Sequence, residues 1–274
     1  GMLTPFAAAD SVTPVTVKDN TLYQDVTGSL SNGAGLHFFA GLKSNGEIKR
    51  GLIAFDVAAS IPAGSTITSV DLTLNLSRTN APAGVVSLHR ALADWGEGAS
   101  MAGGGEGAGG PAEPGDATWL HTFFSASFWT NPGGDFDATA SASLLVDQEA
   151  FYTWTSTPAL VADVQAWLDT PAADFGWVVV GDESGGHSDK RFDTHEEPDP
   201  LLRPQLAIVF TPPAPCALLG DINEDGVIDG DDEPGFVRAK LGAAPAAGEN
   251  QACADYGTGT IAGDIALFVA GLLN

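Results

Sequence analysis

From Thr66 to Leu76 the chain alternates without a break. Val70, Leu72, Leu74 and Leu76 fall on one side, and Asp71, Thr73 and Asn75 on the other. Successive side chains of an extended strand point to opposite faces. The stretch therefore predicts a strand that is dry on one face and wet on the other, as in an antiparallel sheet. Any fold for this chain has to supply that dry face.

Other strands follow from the same pattern. HFFAGL at 37–42, LIAFDV at 52–57, the pair Val86 and Leu88, WVVV at 177–180 and LAIVF at 206–210 read as strands. Val12, Val15 and Val17 suggest an N-terminal edge strand, able to complete a neighbour's sheet. With 34 Gly and 17 Pro the connections are turn-rich, which fits an all-β body. One helix interrupts it. Thr157 is placed to cap, Pro158 suits the first turn, Leu160, Val164, Trp167 and Leu168 share a face, and Pro171 ends it. This helix is expected to cover one end of a sandwich. Residues 98–116, GASMAGGGEGAGGPAEPGD, are of low complexity, and such loops are usually flexible or lids.

Charge narrows the function. Against 35 Asp+Glu the 274 residues carry only 11 Lys+Arg, a net charge of −24. Nucleic acid and anionic membrane surfaces both require positive charge, so neither is an expected partner. No apolar run approaches a membrane span. Gly1-Met2-Leu3-Thr4-Pro5 lacks the basic region and apolar run of a signal peptide.

The acidic excess has one organised stretch, Asp221 to Asp232, DINEDGVIDGDD. Asp221, Asn223, Asp225, Asp229 and Asp232 put side-chain oxygens at loop positions 1, 3, 5, 9 and 12, and Gly226 stands at 6. The Val227 carbonyl adds a backbone oxygen. This spacing matches a Ca²⁺ loop, with glycine permitting the sharp central turn. The plain alternative is an acidic surface turn. A short helix is expected over 232–241, and a second from Asp264 with Ile265, Phe268, Val269, Leu272 and Leu273 on one stripe. DYGTGTIAGD at 255–264 looks like a worn copy of the first loop, two residues short. TPPAPC at 211–216 reads as a stiff linker. Cys216 and Cys253 bracket the loop, which favours a disulfide in an oxidising compartment over two buried thiols.

The unit containing GDINEDGVIDGDD resembles a dockerin, an EF-hand-like pair of loop–helix repeats. The likeness implies that Asp221, Asn223, Asp225, Asp229 and Asp232 ligate Ca²⁺ and that the unit docks on a cohesin-like partner. Upstream, KDNTLYQD at 18–25, SNGAG at 31–35, RGLIAFDV at 50–57, IPAGSTITSVDLTLNL at 61–76, DWGEG at 94–98, KRFD at 190–193 and RPQL at 203–206 carry a second likeness. They resemble the DNRLRE (disaggregatase-related) group, which implies a jelly-roll β-sandwich related to carbohydrate-binding modules. The expected organisation is a mainly β jelly-roll domain over 1–211 and a small α-helical, dockerin-like domain over 212–274.

Catalytic chemistry finds little footing. A glycosidase needs two carboxylates flanking a cleft. Asp94 with Glu97, Asp135 with Asp137, and Glu196 with Glu197 are the candidates. Glu97 is expected instead to pair with Arg90, Arg191 or Arg203. Asp135 and Asp137 are also candidates for a second, structural Ca²⁺. No nucleophile elbow or zinc-protease pair is present. Trp129, Tyr152 and Trp154 are candidates for stacking on sugar rings, against the alternative that they fill the core. The reading is a non-enzymatic, extracellular, calcium-stabilised interaction module, partnered by copies of itself or by a cohesin-like or cell-surface protein. The alternative is a carbohydrate-binding accessory module of a polysaccharide-degrading system.

Overall fold

The alternating stretch forms the longest strand, Thr66–Thr79, and Val70, Leu72 and Leu74 are fully buried along one face. The computed structural model describes residues 8–213, 216, 218–246 and 248–273. The Gly1–Pro5 segment and part of the 211–216 linker lie outside the described residues. One edge of Thr66–Thr79 pairs with Gln205–Thr211 and then with Lys190–Asp193, and the other with Ala150–Trp154. In the other half Ile48–Phe55 plays the same part, between Thr16–Tyr23 on one edge and Trp177–Val180 on the other. Gly84–Arg90 and Ala142–Val146 extend that half. All described pairings are antiparallel.

His37–Leu42 joins the halves. Its first four residues pair with Lys190–Asp193, and Gly41 and Leu42 pair with Lys49 and Ile48. Gly41 has φ of 121°, and a Cβ there would lie 2.7 Å from the Ser188 carbonyl oxygen. A glycine at that corner lets one strand belong to both halves. The result is a curled antiparallel sheet closed over an apolar interior, consistent with a β-sandwich.

That interior is dense with rings. Phe38 stacks on Phe192 at 5.4 Å, and Trp167 meets Trp177 edge-on at 4.5 Å. Helix α1, Pro158–Asp169, closes one end of it. The Thr157 hydroxyl accepts the Leu160 N–H at 3.0 Å, and Leu160, Val164, Trp167 and Leu168 are buried. Each of these side chains contributes about 1.5–3 kcal/mol through burial. The second half of Ile48–Phe55 is apolar on both faces: Ile53 and Phe55 belong to this interior, while Leu52 and Ala54 face a second cluster with Leu22, Trp95, Trp119 and Trp129.

Two expectations are corrected. The N-terminal valines do not share one strand: Asp10–Val12 pairs with the end of Gln205–Thr211, Val17 lies in Thr16–Tyr23, and Val15 falls between the two. The loop at 98–116 is not a lid. Gly110–Pro111 pairs with Leu30–Ser31, and the buried Glu106 carboxylate accepts the His37 N–H at 2.9 Å and the Asn32 amide at 3.0 Å. Charge-assisted hydrogen bonds from a backbone N–H and a side-chain amide hold this glycine-rich stretch where apolar side chains are lacking.

A third cluster, Ile222, Phe236, Cys253, Ala254 and Phe268, holds the C-terminal region together. Here α2 is Glu233–Lys240 and α3 is Ile261–Leu272. The second helix starts three residues before Asp264 because the Thr260 hydroxyl accepts the Gly263 N–H and caps it. Among the described residues no helix is long and apolar enough to cross a membrane.

Candidate cation sites

The acidic loop is closed by its last residue. Asp232 is 1% exposed; its Oδ1 accepts the N–H groups of Ile222 and Asn223 at 2.6 and 3.0 Å, and its Oδ2 that of Asp229 at 3.0 Å. Asp221, also buried, accepts the N–H groups of Asp225 and Gly226. Asn223, Asp225 and Asp229 each accept the N–H two residues ahead, as short polar side chains do in turns. Glu224 at φ of 57° and Gly226 at φ of 93° make the central reversal. Cys216 and Cys253 are disulfide-bonded, with Cα atoms 4.9 Å apart, and so tie the loop's approach to the second repeat.

The donor set suits a hard cation. It is all oxygen, and among the described residues no Lys, Arg or His forms an ion pair with Asp221, Asp225, Asp229 or Asp232. Yet no three of the loop's carboxylates offer oxygens within 4.8 Å of one another. A cation seated there has to draw them together.

The worn second loop differs in kind. Its Asp264 carboxylate accepts the Thr258 hydroxyl at 2.7 Å and the Lys240 ammonium. The lysine hydrogen bond holds this carboxyl below the ordinary range. Of the apolar stripe on α3 only Phe268 is buried, stacked on Phe236 at 4.0 Å. Ile265 and Val269 are each 45% exposed, and Val237 of α2 and Leu241 at its C-cap are exposed beside them. Together they line an apolar groove of about 360 Å³ between the two helices, with Glu233 and Lys240 at its rim.

In the β body the carboxylate pairs are occupied. Asp94 pairs with Lys18 at 2.7 Å, and Asp135 accepts the N–H groups of Thr130 and Asn131. Asp137 accepts the Thr139 N–H, and the Glu197 side chain accepts that of Asp199. Glu97 does not pair with Arg90, Arg191 or Arg203. Its Oε1 accepts the Asp19 N–H at 2.8 Å and lies 3.6 Å from Nδ1 of His195. Burial pushes the Glu97 carboxyl up to about 7 and raises that of Asp19 as well. The hydrogen bond to Asp19 raises His195 to about 9. Nothing in the sequence pattern pointed to Asp19 or His195, which stand 176 residues apart.

Two of the three aromatic candidates, Trp129 and Trp154, are corrected, while Tyr152 is half-buried. Trp154 is 1% exposed with its indole N–H on the Val86 carbonyl, and Trp129 is 5% exposed with its N–H on the Thr118 carbonyl. The Tyr152 hydroxyl is held by the Gln148 carbonyl and the Asp147 N–H. All six tryptophans are buried, so none offers a face to a sugar ring. No family model matches the chain, and no curated protein matches it.

Proposed function

We propose that the chain is a non-catalytic, extracellular interaction module, in which a jelly-roll-like sandwich of the DNRLRE kind carries a dockerin-like C-terminal unit stabilised by Ca²⁺. The observation that carries this reading is the unburied apolar groove between α2 and α3. An amphipathic stripe is normally spent on the core, and here Ile265, Val269, Val237 and Leu241 stay in water. Exposed apolar surface of that kind, with charged residues at its rim, marks a protein interface.

Ca²⁺ serves the groove indirectly. Asp221, Asn223, Asp225, Asp229, Asp232 and the Val227 carbonyl would hold it, and Asp232 is the cap of α2. Drawing these oxygens together fixes the start of α2, and with it the angle at which the groove is presented. The occupant is a partner protein and not a second copy. Each copy carries a net charge of −24, so self-association sets like charge against like, whereas a partner with a basic rim gains by it. With every tryptophan buried, glycan binding has no observation in its favour.

The test is capture on the immobilised chain, comparing wild type with Val269→Asp and Ca²⁺ with EGTA. A partner retained by wild type in Ca²⁺, and lost both in EGTA and with Val269→Asp, supports the reading. Retention indifferent to both changes contradicts it.

A further inference from the structure

Three side chains that can ligate a metal meet in the β body, where Asp19 of Thr16–Tyr23 faces His195, just after Lys190–Asp193, and Glu97. The Nδ1 of His195 lies 2.9 Å from Asp19 Oδ2 and 3.6 Å from Glu97 Oε1. One ligand atom from each of Asp19, Glu97 and His195 falls within 4.8 Å of the others. A tetrahedral ion with ligands at 2.0–2.1 Å has ligand–ligand edges of about 3.3 Å, so the observed separations bracket that value.

Two further features point to a ligand. Asp19 is fully buried, and its Oδ1 has no hydrogen-bond partner among the described residues. A buried carboxylate oxygen left without a donor is costly, and a bound cation removes that cost. On the other side of the imidazole, Nε2 faces Glu196 Oε1 at 3.2 Å. A histidine that binds metal through one nitrogen and donates its other N–H to a carboxylate is the usual outer support of a metal site. Among the described residues no Lys or Arg pairs with Asp19, Glu97 or Glu196, so three carboxylates share one imidazole. The neighbouring group of His37, Asp193 and Glu197 has no such orphan: none of its side-chain polar atoms is buried without a hydrogen-bond partner among the described residues, and Asn75 donates to Asp193 Oδ2.

We infer that Asp19, Glu97 and His195 form a site for a divalent transition-metal ion of the zinc class, with Glu196 as the positioning residue behind the imidazole. The imidazole nitrogen selects against Ca²⁺, which takes oxygen ligands, and in favour of Zn²⁺. On binding, the ion replaces any proton on Nδ1, which passes to solvent. Glu97 and His195 are each about a quarter exposed at the side chain, at 25% and 28%, which leaves the ion a way in beside the buried Asp19. This site is independent of the acidic loop.

The test is calorimetric titration of Zn²⁺ into the metal-stripped chain, with Ca²⁺ in excess so that the acidic loop does not contribute. One saturable Zn²⁺ per chain is expected. His195→Gln should weaken it by well over tenfold, and Glu196→Gln by about tenfold, as for outer-shell carboxylates. His187→Gln should leave it unchanged. Thermal melts of each variant without Zn²⁺ show whether it folds; if His195→Gln does not, Glu97→Gln replaces it. Visible d–d absorption of Co²⁺ bound to wild type, absent in the histidine variant, would place the nitrogen ligand. Absence of saturable binding, or binding that survives His195→Gln and Glu97→Gln in folded chains, overturns the assignment.

Discussion

The Lys240 ammonium, at the end of α2, is bonded to the Asp264 carboxylate in the first turn of α3. In the worn repeat the chain's own cation therefore meets the carboxylate that an intact loop would turn towards an ion. The contact ties the end of α2 to the first turn of α3 and satisfies the Asp264 carboxylate from within the chain.

Replacing Lys240 by Met should therefore destabilise the C-terminal unit, and Asp264→Asn should restore part of the loss. A double-mutant cycle followed by thermal melting measures the coupling. The pH dependence has a definite sign. The Asp264 carboxyl is held below its ordinary 3.8 by Lys240, so its contribution is present above that pH and is lost as pH falls through the lowered value. In Lys240→Met that acid-side loss should shrink.

The disulfide should matter as much as the ion loop. Cys216 and Cys253 close a segment with a sequence separation of 37, for which loop-closure entropy gives a stabilisation of about 4 kcal/mol. Melting of the chain with and without reductant, and of Cys253→Ser, checks this. The expected effect is confined to the C-terminal transition, leaving the β body's melt in place.

Asp174 gives a pH test of the β body. Burial pushes its carboxyl up to about 7, and its Oδ1 is buried without a hydrogen-bond partner among the described residues. The folded state thus keeps a proton that the unfolded chain releases near 4, and stability falls as pH rises from about 4 to about 7. Asp174→Asn should reduce that slope, to which the raised carboxyls of Glu97 and Asp19 also contribute, and stabilise the chain at pH 8 by on the order of 1–2 kcal/mol. Denaturant melts at pH 5 and pH 8 measure it.

Glu106 predicts a kinetic effect. Its carboxylate pegs the 98–116 loop to Asn32 and His37. Glu106→Ala should speed cleavage within that loop, with little change in the global melt, as expected for local opening. Equal cleavage rates in both chains would count against the peg.

The parts of this fold that a sequence can reveal are those written in local repeats. Alternation placed Thr66–Leu76, and Thr157 with Pro158 placed the start of α1, because both depend on neighbours a few residues away. The same reading missed Asp19 with His195, Glu106 with His37 and Lys240 with Asp264. These are contacts between single polar side chains across long stretches, and they leave no period. Exposure of the α3 stripe was illegible for a related reason. Periodicity identifies an apolar face but not whether the protein itself covers it, and α3 has only Phe236 and its surroundings to pack on.

Titration of Ca²⁺ into the metal-stripped chain, followed by melting, tests the calcium-stabilised unit most directly. The expected result is one Ca²⁺ held by the Asp221–Asp232 loop, a rise in the C-terminal melting transition on binding, and loss of both in Asp225→Ala. A C-terminal transition that neither Ca²⁺ nor Asp225→Ala moves would make the loop an acidic surface turn and contradict the proposal.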